Sequence, residues 1–263
     1  MSLLDGKAAI VSGGAQGLGE AYARALAENG ASVLVFDIQE AVMDVASALE
    51  AATGARVLGM VADVSKRADV ERVVSTCAET FGGIDILVNN AGSWRRTQVD
   101  SAWARAVADW DVIMVTNLKG LLMVSRACVP HMQSRGGGDI VNVSTYYVLP
   151  ARSAGTNSVD TDLYNASKWA LNGFTDAWAK YLAKDNIRVN GMCMGATDTP
   201  MLRGLFPDHQ LPPDMAKVVM QPSQIAGLMI DLFKDGRSGE NIGAWVGHPV
   251  ELEPRKPDHR KIT

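Results

Sequence analysis

Ser12-Gly13-Gly14-Ala15-Gln16-Gly17-Leu18-Gly19 stands between a short apolar run, Ala8–Ser12, and an amphipathic one, Gly17–Asn29. A glycine-rich turn that joins a first strand to a first helix lets the backbone close on a pyrophosphate. The helix N-terminus meets that group with free N–H donors and a partial positive charge. The spacing is G-x-x-x-G-x-G on Gly13, Gly17 and Gly19, not G-x-G-x-x-G. Such a cluster can also be a plain turn, so the rest of the chain has to carry the reading.

Outward from this turn, short β-branched runs alternate with longer amphipathic ones. The expected strands are Ala8–Ser12, Ser32–Asp37, Arg56–Ala62, Ile84–Asn89, Asp139–Ser144, Ile187–Met192 and Ile242–Val246. The expected helices are Gly17–Asn29, Glu40–Ala52, Ala68–Phe81, Ala102–Asn117, Lys119–Gln133, Leu163–Lys184 and Ser223–Leu232. Strands apolar on both faces suit a parallel sheet covered by helices on both sides. The pattern predicts an α/β Rossmann fold, a doubly wound parallel sheet of about seven strands, as one domain spanning 1–263. Segments 145–162 and 199–216 interrupt the rhythm with turn-forming residues, and 251–263 reads as a polar tail with two prolines.

The second strand ends in Asp37, where an acidic residue accepts hydrogen bonds from the adenosine ribose hydroxyls. A carboxylate there repels a 2′-phosphate, and Ala15–Gln16 and Ile38–Asp44 hold no Arg or Lys to receive one. NAD is expected over NADP. Further on, Tyr164-Asn165-Ala166-Ser167-Lys168 sets a phenol and an ammonium on one helix face. A free phenol titrates near ~10, too high for a base at neutral pH, and a nearby ammonium is expected to lower it. The lysine can also reach the nicotinamide ribose. The same spacing occurs by chance on amphipathic helices, and its place after the fifth strand gives it weight.

In this order these motifs resemble the short-chain dehydrogenase/reductase family, in its type of about 250 residues, over nearly the whole chain. The resemblance implies a nicotinamide cofactor held by Gly13, Gln16, Gly17, Leu18, Gly19, Asp37 and Ile38. Asp63 and Val64 would hold the adenine, and Asn90, Ala91 and Gly92 of Asn89-Asn90-Ala91-Gly92 would line the cleft. Gly195, Thr197 and Thr199 would meet the carboxamide, with Tyr164 and Lys168 at the ribose. It implies that Ser144, at the carboxyl edge of the sheet, holds the substrate oxygen, although a serine can also merely end a strand. Asn117 would hold a water that links Lys168 to solvent. Ser12 stands where the family usually has Thr.

Three departures accompany the resemblance. Ser144 and Tyr164 are twenty positions apart, more than is usual in the family, which makes 145–162 an inserted active-site loop. Met194 replaces the proline usual before Gly195, a change expected to loosen that turn. The C-terminal strand lacks the usual Val-Asp-Gly-Gly ending. Trp94, Ser144, Tyr146, Met194, Leu205 and Phe206, with Tyr147 nearby and 199–216 as a lid, are the expected substrate residues and suit a hydrophobic, cyclic secondary alcohol. Arg95 and Arg96 are either a carboxylate clamp or a solvated loop.

The 263 residues carry a net charge of −4 and three cysteines without a CxxC. That balance gives no reason to expect nucleic acid or an anionic membrane, and it points to a reducing compartment. No basic leader and no uninterrupted apolar run near ~18 residues is visible, so a cytoplasmic protein is expected. The scattered His131, His209, His248 and His259 suggest no metal site. Trp103, Trp110, Trp169 and Trp178 fall at helical spacings that suit core or subunit packing, and the family implies a homo-oligomer, a tetramer or dimer. Two rival readings are an NADPH-dependent ketoreductase and a catalytically silent dinucleotide-binding regulator. The retained Ser144, Tyr164 and Lys168 argue against the second.

Overall fold

The computed structural model describes residues 2–149 and 157–255. Seven strands form one parallel sheet: β1 (Ala8–Ser12), β2 (Ser32–Asp37), β3 (Val57–Val61), β4 (Ile86–Asn89), β5 (Gly138–Thr145), β6 (Ile187–Met194) and β7 (Asn241–Ala244). Their spatial order is β3-β2-β1-β4-β5-β6-β7. Every paired neighbour is parallel, with Val11 of β1 opposite Val35 on one side and Val88 on the other. The order reverses between β1 and β4, and a crevice opens there beyond the carboxyl ends of the strands.

The pleat sorts the apolar residues. Ala9, Val11, Val33 and Val35 face a core shared with α1 (Gly17–Glu28), α2 (Val42–Thr53) and, near the C-terminus, Pro222–Asp235. Ile10, Leu34 and Phe36 face the opposite core, with α3 (Arg67–Phe81) and Val124, Cys128 and Met132 of a later helix. Burying both faces explains why these strands read as nearly continuous apolar runs.

The two helices expected over Ala102–Asn117 and Lys119–Gln133 are one uninterrupted run. It comprises α4 (Trp103–Met114), a π-helical turn Val115–Gly120 and α5 (Leu121–Ser134). Nothing at Leu118 breaks the helix, and the chain accommodates the junction by widening it. By length and composition Trp103–Ser134 is apolar enough to cross a membrane, with a mean hydropathy of 1.5 in its most apolar window. In the fold its inner residues, among them Ile113, Val124 and Met132, are buried.

Next come α6 (Asp162–Leu182), α7 (Pro200–Arg203), α8 (Pro213–Ala216) and α9 (Pro222–Asp235), so the 199–216 stretch holds two short helices. Two further expectations are corrected. β6 runs two residues past its expected end, and Gly195 N–H still bonds to Ala244 O at 2.9 Å, so Met194 does not loosen the turn. The start of the C-terminal segment packs rather than trails: Leu252 lies against the first core, and Arg237 Nη1 donates to Glu253 O at 3.0 Å. Residues 150–156 of the inserted loop and 256–263 of the tail lie outside the described residues.

Candidate active site

The turn after β1 is drawn onto the end of β4. Ser12 Oγ accepts hydrogen bonds from Asn90 N–H and Ala91 N–H, both at 3.0 Å. Asn90 Nδ2 returns bonds to Ser12 O at 3.1 Å and Gly13 O at 2.9 Å. The closeness leaves no room for side chains. A Cβ on Gly13, whose φ is +67°, would lie 2.8 Å from Ala91 Cα, and one on Gly19 would lie 2.0 Å from Gly13 O. Gly19 therefore packs behind the turn, while Gly13, Gln16, Gly17 and Leu18 face the crevice. A turn held this tight and this bare, opening a helix, fits a pyrophosphate.

Asp37 closes β2 with its carboxylate accepting from Ala15 N–H at 3.2 Å and Gln39 N–H at 3.0 Å. Those bonds fix the carboxylate at the crevice wall beside exposed Ile38. Asp63 is also on the wall, its Oδ1 accepting from Ser65 N–H at 2.8 Å, and Val64 follows it. Val64 also packs on the π turn, where a Cβ on Gly120 would come within 2.8 Å of its Cγ2. The close contact couples this end of the crevice to the helix that carries Asn117.

At the other end β5 delivers Ser144 and α6 delivers Tyr164 and Lys168 to the same cleft of about 580 Å³. Among the described residues the Ser144 hydroxyl is buried with no hydrogen-bond partner. Lys168 is 5% exposed, and its Nζ donates to Val143 O at 2.9 Å and lies 5.7 Å from the Tyr164 ring centroid. Burial pulls the Lys168 ammonium down to about 8. The expectation that Lys168 lowers the phenol is not met: burial first, then the charge of Tyr147, push Tyr164 up from its ordinary value. The ammonium is turned to a backbone carbonyl, and taking each charged form out of water outweighs the attraction between them.

Asn117 does not line the cleft. Its Oδ1 accepts from Ser93 N–H at 2.7 Å, and its Nδ2 donates to Ser93 O at 2.9 Å and Ser167 Oγ at 3.1 Å. Ser167 Oγ donates in turn to Tyr164 O at 2.8 Å. The side chain is thus committed to tying the loop after Gly92 to the helix of Tyr164, a positioning task. A π turn at a site of this kind fits the tendency of such insertions to mark functional positions.

Gly195, Thr197 and Thr199 line the cleft beyond β6, and Thr199 Oγ1 caps α7 by accepting from Leu202 N–H at 3.2 Å. Trp94, Tyr146, Met194, Leu205 and Phe206 form its apolar and aromatic side, joined by Tyr147. Met201 and Met215 join them unforeseen; their only signal was an apolar pattern in a lid too short to show periodicity. Arg95 and Arg96 point elsewhere. Arg96 pairs with Asp160 at 3.0 Å and Arg95 with Asp109 at 3.9 Å, so they pin loops rather than clamp a carboxylate. Lys168 is the only Lys or Arg on the cleft wall among the described residues.

A family model described as short chain dehydrogenase matches residues 7–210. The 3-oxoacyl-[acyl-carrier-protein] reductase FabG of Thermotoga maritima is 34% identical, over 91% of this chain and 96% of that protein. The human dehydrogenase/reductase SDR family member 4 is also 34% identical, over 95% and 90%. A crystal structure of a putative short-chain alcohol dehydrogenase from Sinorhizobium meliloti superposes with a TM-score of 0.79 at 32% identity, covering 91% of this chain and 95% of that one.

Proposed function

Because the chain belongs to the short-chain dehydrogenase/reductase family, we propose that it interconverts a hydrophobic secondary alcohol and its ketone with NAD as cofactor and Tyr164 as acid/base. The observation that carries this is the buried, unpartnered Ser144 hydroxyl in one cleft with Tyr164 and Lys168, while Asp37 closes the cleft's far end. The nicotinamide dinucleotide of the family, when bound, takes up or gives back hydride at its nicotinamide ring.

The chain's own residues do the rest. Ser144 donates to the reacting oxygen and steadies the charge that develops there. Tyr164 takes the alcohol proton in oxidation and returns it in reduction. Lys168, which holds Val143 O at 2.9 Å, would hold the nicotinamide ribose when the cofactor is bound, and its charge would there favour the phenolate. Asn117, through Ser167 and Ser93, keeps the helix of Tyr164 in register with the cleft. Gly13 and Gly17 leave the first turn open to the pyrophosphate, and Asp37 receives the ribose hydroxyls.

A second reading, an NADPH-dependent ketoreductase, has one observation in its favour, the similarity to the Thermotoga 3-oxoacyl-[acyl-carrier-protein] reductase. Asp37 and the lack of any Lys or Arg but Lys168 on the cleft wall among the described residues weigh against it. Turnover of NAD against NADP over a panel of cyclic, aromatic, steroid and hydroxy-acid alcohols separates the two. A preference for NADP overturns the cofactor assignment, and no turnover with any alcohol reopens the silent-regulator reading.

We also propose a homo-oligomer. Trp178 packs on the second core, but Trp103, Trp110 and Trp169 are 83%, 47% and 38% exposed on α4 and α6. These exposed indoles are the surface that a second copy would cover. Sedimentation as a monomer at micromolar concentration would contradict it.

A further inference from the structure

Two tyrosines on the cleft wall have no part in the chemistry above. Tyr146 and Tyr147 belong to a 3-10 turn, Tyr146–Val148, that directly follows β5. Their rings sit 4.6 Å apart at 43°, and the Tyr146 ring meets Trp245 nearly edge-on at 5.7 Å and 80°. A Cβ on Gly195 would come within 3.5 Å of Tyr146 Cδ1, so the turn after β6 meets the ring from another side. The turn is tied to the helix of Tyr164: Asn172 Nδ2 donates to Val148 O at 3.1 Å, and Val148 is buried. Two phenols are therefore held in fixed places next to the reacting groups.

Burial, followed by the neighbouring Tyr146, pushes the Tyr147 phenol up to about 12, so Tyr147 keeps its proton at neutral pH. Both residues line the cleft, and Tyr147 lies close enough to Tyr164 to bear on that phenol. The same cleft is also lined by Trp94, Met194, Leu205, Phe206 and Met215. Polar groups set singly into an apolar pocket fix a ligand's orientation. Among the described residues of the cleft wall Lys168 is the only basic side chain, and a phenol in such a wall suits an uncharged oxygen.

We infer that the Tyr146–Tyr147 pair is a specificity determinant that hydrogen-bonds a second, uncharged oxygen of the substrate, on the carbon next to the reacting carbinol. The substrate class is then a vicinal diol or the corresponding hydroxy ketone. The inference rests on the alcohol–ketone reading above, and it adds which alcohols are taken. Ser144 and Tyr164 hold the oxygen that is oxidised, and the tyrosine pair holds its neighbour.

The test compares cyclohexanol with cis- and trans-cyclohexane-1,2-diol in wild type, Tyr146→Phe, Tyr147→Phe and the double Phe variant, following NAD reduction. Phenylalanine keeps the ring stacking and removes only the hydroxyls. Wild type is expected to favour at least one diol over cyclohexanol. The double variant is expected to lose about 10- to 100-fold in kcat/KM on that diol, the usual consequence of leaving a buried hydroxyl unpaired, and to stay within about threefold on cyclohexanol. Equal losses on both substrates would assign the pair a structural role, and no loss on either would leave it no role; each overturns the inference while the alcohol reading stands. No turnover of any alcohol by wild type overturns both.

Discussion

Replacing Ser12 by alanine tests whether the cofactor turn is built as described. The hydroxyl is 2% exposed and accepts from the backbone N–H groups of Asn90 and Ala91, both at 3.0 Å, while its own bond to Val88 O is long at 3.4 Å. Alanine fits the space but leaves Ala91 N–H without an acceptor, at about 1–3 kcal/mol, while Asn90 N–H keeps its second bond, to Val88 O at 3.1 Å. The lower half of that range applies, because Asn90 and Ala91 are only partly buried. The expected loss is about 1–2 kcal/mol, or roughly 2–8 °C in Tm for a chain of this size. Because those N–H groups belong to the loop that lines the cleft, dinucleotide affinity should weaken about tenfold with them. Ser12→Thr keeps the acceptor and should restore both. Thermal unfolding and fluorescence titration with NAD measure the two effects. A Tm within about 1 °C of wild type together with unchanged NAD affinity would refute the reasoning, since the hydroxyl would then not organise the turn.

Asp37→Ser should reduce the preference for NAD over NADP by at least about tenfold, because it removes a fixed negative charge from the place where a 2′-phosphate would sit; steady-state kinetics with the two cofactors measures it, and an unchanged ratio would remove Asp37 from the selectivity argument. Lys168 gives a pH-dependent prediction. Its folded value of about 8 lies below the ordinary 10.5, so folding carries a cost of about 3 kcal/mol below pH 8, which fades as pH rises toward 10.5. Lys168→Met removes the charge and orphans Val143 O, so it should be about 2 kcal/mol more stable than wild type at pH 7, with the gap closing between pH 8 and 10. Urea unfolding at the two ends of that window checks it, and a variant less stable at pH 7 would contradict it.

Much of the fold is legible because burial on both faces of a parallel sheet leaves a strong mark: Ile10, Leu34 and Phe36 alternate with Ala9, Val11, Val33 and Val35 between two cores. The glycine turn is legible for a different reason, since only glycine fits 2.0 Å from a carbonyl oxygen, as at Gly19. Elements that depend on distant contacts are not. The π turn at Val115–Gly120 has no breaker and no periodicity of its own, and it is set by the packing of Gly120 on Val64 and the bonds of Asn117 to Ser93 and Ser167. The commitment of Asn117 to those bonds, and of Arg96 to Asp160, likewise follow from residues far apart in the chain. The burial that raises Tyr164 and lowers Lys168 is a property of the folded cleft, and a four-residue spacing carries no sign of it.

The most direct test of the central claim is Tyr164→Phe, assayed for NAD reduction with the best alcohol of the panel and, in parallel, for NAD binding at equilibrium. The account predicts a fall in kcat of about 10²- to 10⁴-fold, the contribution expected of a positioned acid/base, with NAD affinity changed by less than about threefold. A variant that turns over at a near-normal rate would contradict it.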